Sequence, residues 1–180
     1  GGADGPNLTP VVLRVLDSLD EDFEVTAVIG PFFRNSAEVE EIALQCRRPV
    51  RLVHSPDGVL DLMLEADLVI TAGGQTTLEL AATGTPAVAI QTAENQAGNI
   101  RCLAQHGCIS AIKYQRRDQV RNALSREMAR LLRTPEERKR MGCAGQGLID
   151  GLGAIRAAEV LAEILAGFTG TLAPSTQDHQ

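Results

Sequence analysis

The sequence predicts an α/β protein built on a doubly wound parallel sheet, a Rossmann-like arrangement. Short apolar runs alternate with segments of helical periodicity from Phe23 to Ile112, the pattern of βαβ units. Glycine-rich turns lead directly into helical segments at Gly1–Asn7 and at Gly73-Gly74. Four loops of polar composition, Gly1–Asn7, His54–Gly58, Gly73–Glu79 and Thr92–Asn99, fall where strands would end. In such sheets ligands bind beyond the carboxyl ends of the strands.

Each element follows from local chemistry. Gly1-Gly2-Ala3-Asp4-Gly5-Pro6-Asn7 is a turn-rich loop, and Leu8, Val11, Val12, Val15, Leu16 and Leu19 then recur at helical spacing. Asn7 or Thr9 is placed to cap that helix, with Pro10 in its first turn. A glycine loop of this kind normally follows a strand, so the sequence is expected to open just after one, with upstream protein missing from it.

Phe23 to Ile29 reads as a strand closed by Gly30-Pro31, and Ser36 to Cys46 as a helix through Val39, Ile42 and Ala43. Val50 to Val53 is a short strand, Ser55-Pro56-Asp57-Gly58 a turn, and Val59 to Leu64 a brief helix. A strand at Leu68 leads through Gly73-Gly74 into a helix from Thr76 to Thr83, stopped by Gly84-Thr85-Pro86. Ala87 to Ile90 and Cys108 to Ile112 are strands, with a helix from Glu94 to His106 between them.

The remainder is helical. One helix covers Arg116 to Leu132, and Thr134-Pro135-Glu136-Glu137 opens a short one reaching about Met141. A long last helix spans about Leu148 to Leu165. The expected organisation is one domain over residues 1–167 and a frayed tail over 168–180.

Composition excludes several classes. Hydrophobic residues make up 44% and charged residues 22%, as in an ordinary globular domain. With no Trp, one Tyr and a net charge of −6, a nucleic-acid surface of stacked aromatics on a basic field is not expected. The segment Lys113 to Arg140 is +6 while the rest is −12. A helix pair with a solvated basic face accounts for it, and an anionic partner or a membrane surface is the sharper alternative. Cys46, Cys102, Cys108 and Cys143 form no C-x-x-C pair, so no metal site is predicted, and their scatter suits reduced thiols in the cytoplasm. No run reaches the roughly 20 apolar residues of a membrane span. No Ser/His/Asp or Cys/His set is legible, so no catalytic residue is assigned. His54 reads as structural or solvated.

The turn after Ile70 carries the most chemistry. A helix opening behind Gly73 and Gly74 presents unpaired N–H groups and the positive end of the helix dipole to an anion. Gly73 and Gly74 lack side chains that would obstruct a phosphate, Gln75 and Thr76 add donors, and Glu79 could accept from a sugar diol. The competing reading is a capping box, Thr76-x-x-Glu79, with no ligand at all. Glu94-Asn95-Gln96-Ala97-Gly98-Asn99 gathers amides and a carboxylate suited to sugar hydroxyls, or simply caps its own helix. Pro56 and Gly58 bend the chain where backbone groups can meet a flat base.

Ala66-Asp67-Leu68-Val69-Ile70-x-Ala72-Gly73-Gly74-x-Thr76-x-x-Glu79-Leu80-x-x-x-Gly84-x-Pro86, followed by Glu94-Asn95-Gln96-x-x-Asn99, closely resembles the carboxyl-terminal half of GT-B nucleotide-sugar enzymes. The pattern is most similar to the UDP-sugar hydrolases of the pseudaminic-acid pathway and their spore-coat polysaccharide relatives. Lipid II glycosyltransferases are more distant, with a histidine where Asn95 stands. The resemblance covers Gly1 to Tyr114. It implies that Gly74, Gln75 and Thr76 meet a diphosphate, next to Gly73 in the same nucleotide site, with Glu79 at the ribose and Pro56 and its neighbours at the uracil. Gln96 and Asn99 would face the sugar, beside Glu94 and Asn95, which are sugar-binding candidates by their own side chains, and Gly2, Ala3 and Asp4 would border a cleft toward a missing amino-terminal domain. Ala3 stands where the family carries a serine. The implied activity is release of UDP from a diacetamido-trideoxy hexose, or transfer from a UDP-sugar donor to a cell-surface polysaccharide, with no cofactor beyond the substrate. A non-catalytic nucleotide-binding module is the alternative of another class.

Overall fold

The computed structural model describes residues 4–170, with side chains through 166. In chain order the elements are α1 (Thr9–Asp17), β1 (Val25–Ile29), α2 (Ser36–Gln45), β2 (Val50–His54), α3 (Leu60–Glu65), β3 (Val69–Ala72) and α4 (Thr76–Thr83). There follow β4 (Ala87–Gln91), a 3₁₀ turn at Glu94–Gln96, α5 (Ala97–Gln105), β5 (Ile109–Lys113), α6 (Arg117–Arg133), α7 (Pro135–Leu148) and α8 (Gly153–Gly170). The chain falls into two units, divided after Ile149.

In the first unit every strand pair is parallel. β1 pairs β2 from Val25 opposite Val50 to Ile29 opposite His54. β4 lies between β3 and β5, with Ala72 opposite Ile90 and Ile90 opposite Ile112. The expected alternation is therefore present: each of the five strands lies where the sequence places one, and the four with stated bounds agree within two residues at either end. The sheet itself is interrupted, because among the described residues no ladder joins the β1–β2 pair to the β3–β4–β5 triplet.

Side chains of β4 show how the layers are arranged. Val88 and Ile90 enter a core with Leu13 and Leu16 of α1, Val39 and Ile42 of α2, and Val120 and Leu124 of α6. Ala87 and Ala89, pointing the other way, enter a second core with Met63, Leu80, Ile100 and Leu103. Alternate residues of a strand face opposite sides, so the two cores lie on opposite faces of the sheet. α1, α2 and α6 cover one face, and α3, α4 and α5 the other. The uniformly apolar Ala87-Val88-Ala89-Ile90 run is what a strand buried on both sides requires.

Three local expectations change. The cap of α1 is neither Asn7 nor Thr9: Asp4 Oδ1 accepts from Leu8 N–H at 2.8 Å and Oδ2 from Thr9 N–H at 2.6 Å. The carboxylate at the positive end of that helix is thereby engaged within the loop. Asn7 adopts φ 53° and donates from Nδ2 to Glu38 at 2.7 Å.

The second change is at α7, which continues past Met141 to Leu148 through three glycines. A Cβ on Gly142 would lie 2.2 Å from the Gly84 carbonyl oxygen, and one on Gly145 would lie 2.8 Å from that of Ala81. Close packing on α4 holds residues that intrinsic propensity would place outside a helix. The third is the segment from Glu94, which begins as a 3₁₀ turn before α5.

Part of the basic stretch is tied down. Arg117 donates to the Pro6 carbonyl, Arg133 to Glu21, and Arg138 to the Leu131 and Leu132 carbonyls. Arg130 bridges Glu127 and Glu137 across the α6–α7 elbow.

In the second unit Asp150 accepts from Arg156 and from Leu152 N–H, and these bonds hold its carboxyl at about 2. α8 there exposes Ile155, Val160, Leu161 and Ile164. No described helix is long and apolar enough to cross a membrane. The tail expected from Phe168 lies mostly outside the described residues.

Candidate functional site

Parallel strands of one ladder end on one edge, so the loops after β3, β4 and β5 share a rim. The most closely knit part of it lies after β3 and β4. Gly73 N–H donates to Ile90 O at 3.0 Å, extending the ladder one residue beyond Ala72. A Cβ on Gly73 would stand 2.0 Å from Ile100 Cδ1 and 3.2 Å from Gln96 Oε1. Gly73 is therefore a packing glycine: it lets α5 seat against the turn, and it brings Gln96 beside the start of α4.

Gly74 differs from its neighbour. Nothing lies within 4 Å of the position a Cβ would take. Its carbonyl accepts from Thr77 N–H at 3.1 Å and from Thr77 Oγ1 at 2.7 Å, and the Gln75 carbonyl accepts from Leu78 and Glu79 N–H. These bonds saturate the amides from Thr77 onward. Among the described residues no acceptor takes the N–H groups of Gly74, Gln75 or Thr76. Three consecutive free donors thus lie beside an open Gly74 face at the positive end of α4, where N–H groups of this kind suit an anion.

The capping-box alternative is not realised. Gln75 occupies the cap position with helical angles (φ −54°, ψ −35°) and no side chain caps the helix. It is Thr77, not Thr76, whose hydroxyl bonds the turn. Glu79 is exposed one turn into α4, and among the described residues no hydrogen bond or ion pair engages its carboxylate.

The loop after β4 is organised by Gln96. Its Oε1 accepts from Thr92 N–H at 2.8 Å, Thr92 Oγ1 at 3.3 Å and Ala93 N–H at 3.3 Å. The carbonyl end of this amide is thus committed to its own loop, and the NH₂ end remains for another partner. Glu94, Asn95 and Asn99 are exposed, and neither Glu94 nor Asn95 caps the following helix.

The remaining candidates lie apart from this cluster. Pro56 is half-buried on the other ladder, after Ser55, whose N–H donates to Ile29 O at 2.7 Å with φ 41°. No hydrogen bond among the described residues ties Pro56 to the turn after β3. Asp4 is engaged at the start of α1, while Gly2 and Ala3 lie outside the described residues. Burial pushes the thiols of Cys46 and Cys108 up, which makes both poor nucleophiles at neutral pH. Among the described residues no group of three His, Cys, Asp or Glu is arranged to hold a metal ion.

Sequence reasoning placed Thr92 and Thr77 within candidate loops but gave neither a role: Thr92 fixes the Gln96 amide, and Thr77 bonds the turn. Both are ordinary threonines whose roles depend on a partner brought up by folding.

Comparison with known proteins gives three kinds of match. The model of the glycosyltransferase family 28 C-terminal domain matches residues 1–148. A Methanocaldococcus jannaschii protein of uncharacterized activity, MJ1062, is 34% identical over 98 residues, covering 53% of this chain and 20% of that protein. Among solved structures, Acinetobacter baumannii MurG superposes with a TM-score of 0.76 at 16% identity, over 91% of this chain and 48% of that one. A candidate UDP-N-acetylglucosamine 2-epimerase from Listeria monocytogenes gives 0.61 at 20% identity, over 96% and 43%. The chain thus spans about half the length of these solved structures and a fifth of the archaeal protein. The fold is the Rossmann-like half of a GT-B architecture.

Proposed function

The chain belongs to the glycosyltransferase family 28 C-terminal domain family, and on that premise we propose that it is the donor-binding half of a UDP-sugar enzyme. The observation that carries this reading is the set of free amides at Gly74, Gln75 and Thr76 beside the open face of Gly74. A diphosphate suits them in charge and in acceptor number. When the bond between the anomeric carbon and the UDP oxygen breaks, negative charge builds on the departing diphosphate, and fixed donors stabilise it.

In this reading the free carboxylate of Glu79 accepts from the two ribose hydroxyls. The Gln96 NH₂ group, with Glu94, Asn95 and Asn99, meets the sugar. Pro56 and its neighbours line the base, and Gly2, Ala3 and Asp4 border the cleft. Among the described residues no group is assigned as a general acid or base; in this reading an amino-terminal domain of the longer protein handles the proton, and this half alone binds without turnover. The cytoplasm, where UDP-sugars are made, fits its unpaired cysteines.

The family favours transfer to an acceptor hydroxyl. Hydrolysis of a diacetamido-trideoxy sugar nucleotide is the second reading, favoured by Asn95 standing where the lipid II transferases carry histidine.

Calorimetric titration with UDP, ADP as comparison, tests the site. Selective UDP binding that weakens about tenfold in Glu79→Ala at unchanged Tm is the expected result. Equal binding of ADP, or a Glu79→Ala effect on Tm alone, overturns it. Product analysis on the two-domain protein then separates transfer from hydrolysis.

A further inference from the structure

We infer that Thr92 is a positioning residue of the donor site: with its amide and hydroxyl it turns the Gln96 carbonyl inward, so that Gln96 meets the ligand as a hydrogen-bond donor only. What Gln96 meets rests on the UDP-sugar reading; how Thr92 holds it does not.

A primary amide ordinarily offers both senses, two N–H donors and a carbonyl with two lone pairs. Folding removes one of them from Gln96. Three donors converge on its Oε1: Thr92 N–H at 2.8 Å, Thr92 Oγ1 at 3.3 Å and Ala93 N–H at 3.3 Å. Two of these are backbone groups with fixed directions, because Thr92 follows directly on the last residue of β4 and Ala93 is extended (φ −144°, ψ 153°). Turning the amide over would set its NH₂ group against the same donors and leave them unpaired. Gln96 stands at the cap position of α5 yet caps nothing, since its side chain folds back onto the loop instead. Among the described residues no acceptor takes Nε2, and it is not a buried orphan, so it faces outward.

Its surroundings decide what can arrive there. Oε1 lies 3.2 Å from the place a Cβ on Gly73 would take. The amide thus rests against the residue that precedes the free N–H groups of Gly74, Gln75 and Thr76. The free groups held in place around this turn are all donors, and each calls for a ligand oxygen with a lone pair. That oxygen belongs to the diphosphate or to the sugar. Asn95 and Asn99 are exposed, and no hydrogen bond among the described residues holds either amide. Binding would cost them side-chain freedom that Gln96 has already given up. The Thr92 hydroxyl is the part of this arrangement that a substitution removes without touching the backbone, and its β-branched side chain has few rotamers to choose from.

Calorimetry on the full-length protein, with UDP and UDP-N-acetylglucosamine as probes, and nitrogen relaxation of the Gln96 side chain test this. Thr92→Val is expected to weaken UDP-N-acetylglucosamine binding about threefold and to lower the Nε2 order parameter by about 0.2. Thr92→Ser restores both. In a Gln96→Met background Thr92→Val adds no further loss, because it acts through Gln96. Gln96→Glu keeps an oxygen for the three inward donors and exchanges the outward NH₂ for a second one. Its Tm should hold while affinity falls about tenfold, even in about 0.5 M salt, where added charge is largely screened. A loss already seen with UDP assigns the acceptor to the diphosphate; a loss confined to the sugar nucleotide assigns it to the sugar. Unchanged Nε2 order in Thr92→Val overturns the inference. So does an equal Thr92→Val loss with and without the Gln96 side chain, or parent-like binding by Gln96→Glu. A parent protein that takes neither probe, while Thr92→Val still loosens Nε2, overturns the UDP reading and supports Thr92 as the residue that holds the amide.

Discussion

At its amino-terminal end α4 meets Gly73 and Gly74; at its carboxyl-terminal end it meets Gly84, Gly142 and Gly145. The carboxyl end is closed. Gly84 turns at φ 76° as a left-handed cap, Gly142 and Gly145 bring α7 against the Gly84 and Ala81 carbonyls, and Gln146 Nε2 donates to Thr83 O. The amino end is open, with three free amides and an unopposed Gly74 face. One helix is thus fastened at the end whose dipole is negative and left free at the end whose dipole is positive. An anion arriving at the free end meets donors already held in place, so little reorganisation opposes binding. Glycine serves both ends for different reasons, and only the atoms around each one tell them apart.

The largest effect should come from the closed end. Gly142→Ala drives a Cβ into a backbone oxygen that cannot step aside, so a loss of about 3 kcal/mol, or roughly 10 °C in Tm, is expected. Thermal unfolding measures it, and UDP affinity per folded molecule should be unchanged. If Tm holds, α7 is not seated as described.

Gly73→Ala is intermediate. Its Cβ meets the flexible end of Ile100, so a cost of about 1–2 kcal/mol in chemical denaturation is expected. Gly74→Ala sharpens the contrast: stability should stay within about 0.5 kcal/mol, while UDP affinity by calorimetry falls about tenfold. Equal destabilisation by the two alanines would erase the distinction between a packing glycine and an open one.

The smallest effect concerns the elbow behind the closed end. Burial raises the Glu127 carboxyl, but hydrogen bonds from Arg130 and Ser110 outweigh it and hold the group below its ordinary 4.5. A carboxyl lowered on folding contributes stability above its unfolded value and loses it as pH falls through the folded one. Arg130→Met should therefore lower Tm by about 2 °C at pH 7, and the difference from the parent protein should shrink below pH 4.5. A difference that persists unchanged into acid would assign the effect to packing of the arginine stem.

Much of this was readable beforehand. The apolar run Ala87-Val88-Ala89-Ile90, directly after the Gly84-Thr85-Pro86 stop, reads as a strand, and the glycine turn at Gly73-Gly74 announces a helix start at Thr76, as found. The motif spacing that suggested a nucleotide-sugar half agrees with the family to which residues 1–148 match. Cap assignments were less legible. Asp4, Asn7 and Thr9 all have capping side chains, and which one turns inward depends on loop angles that local sequence leaves open. The reach of α7 was hidden because Gly142 and Gly145 are poor helix formers until α4 is beside them.

The sequence by itself determined the order of strands and helices, their parallel sense and the place of the rim, because periodicity and turn chemistry act over a few neighbouring residues. Tertiary structure alone decided that Gly73 packs while Gly74 stays open, that Gln96 spends its carbonyl on Thr92 and Ala93, and that Glu79 remains unengaged. It also decided that the two ladders stand apart. Each of these depends on atoms distant in the chain, Ile100 beside Gly73 or Gly142 beside Gly84, whose approach no local pattern encodes.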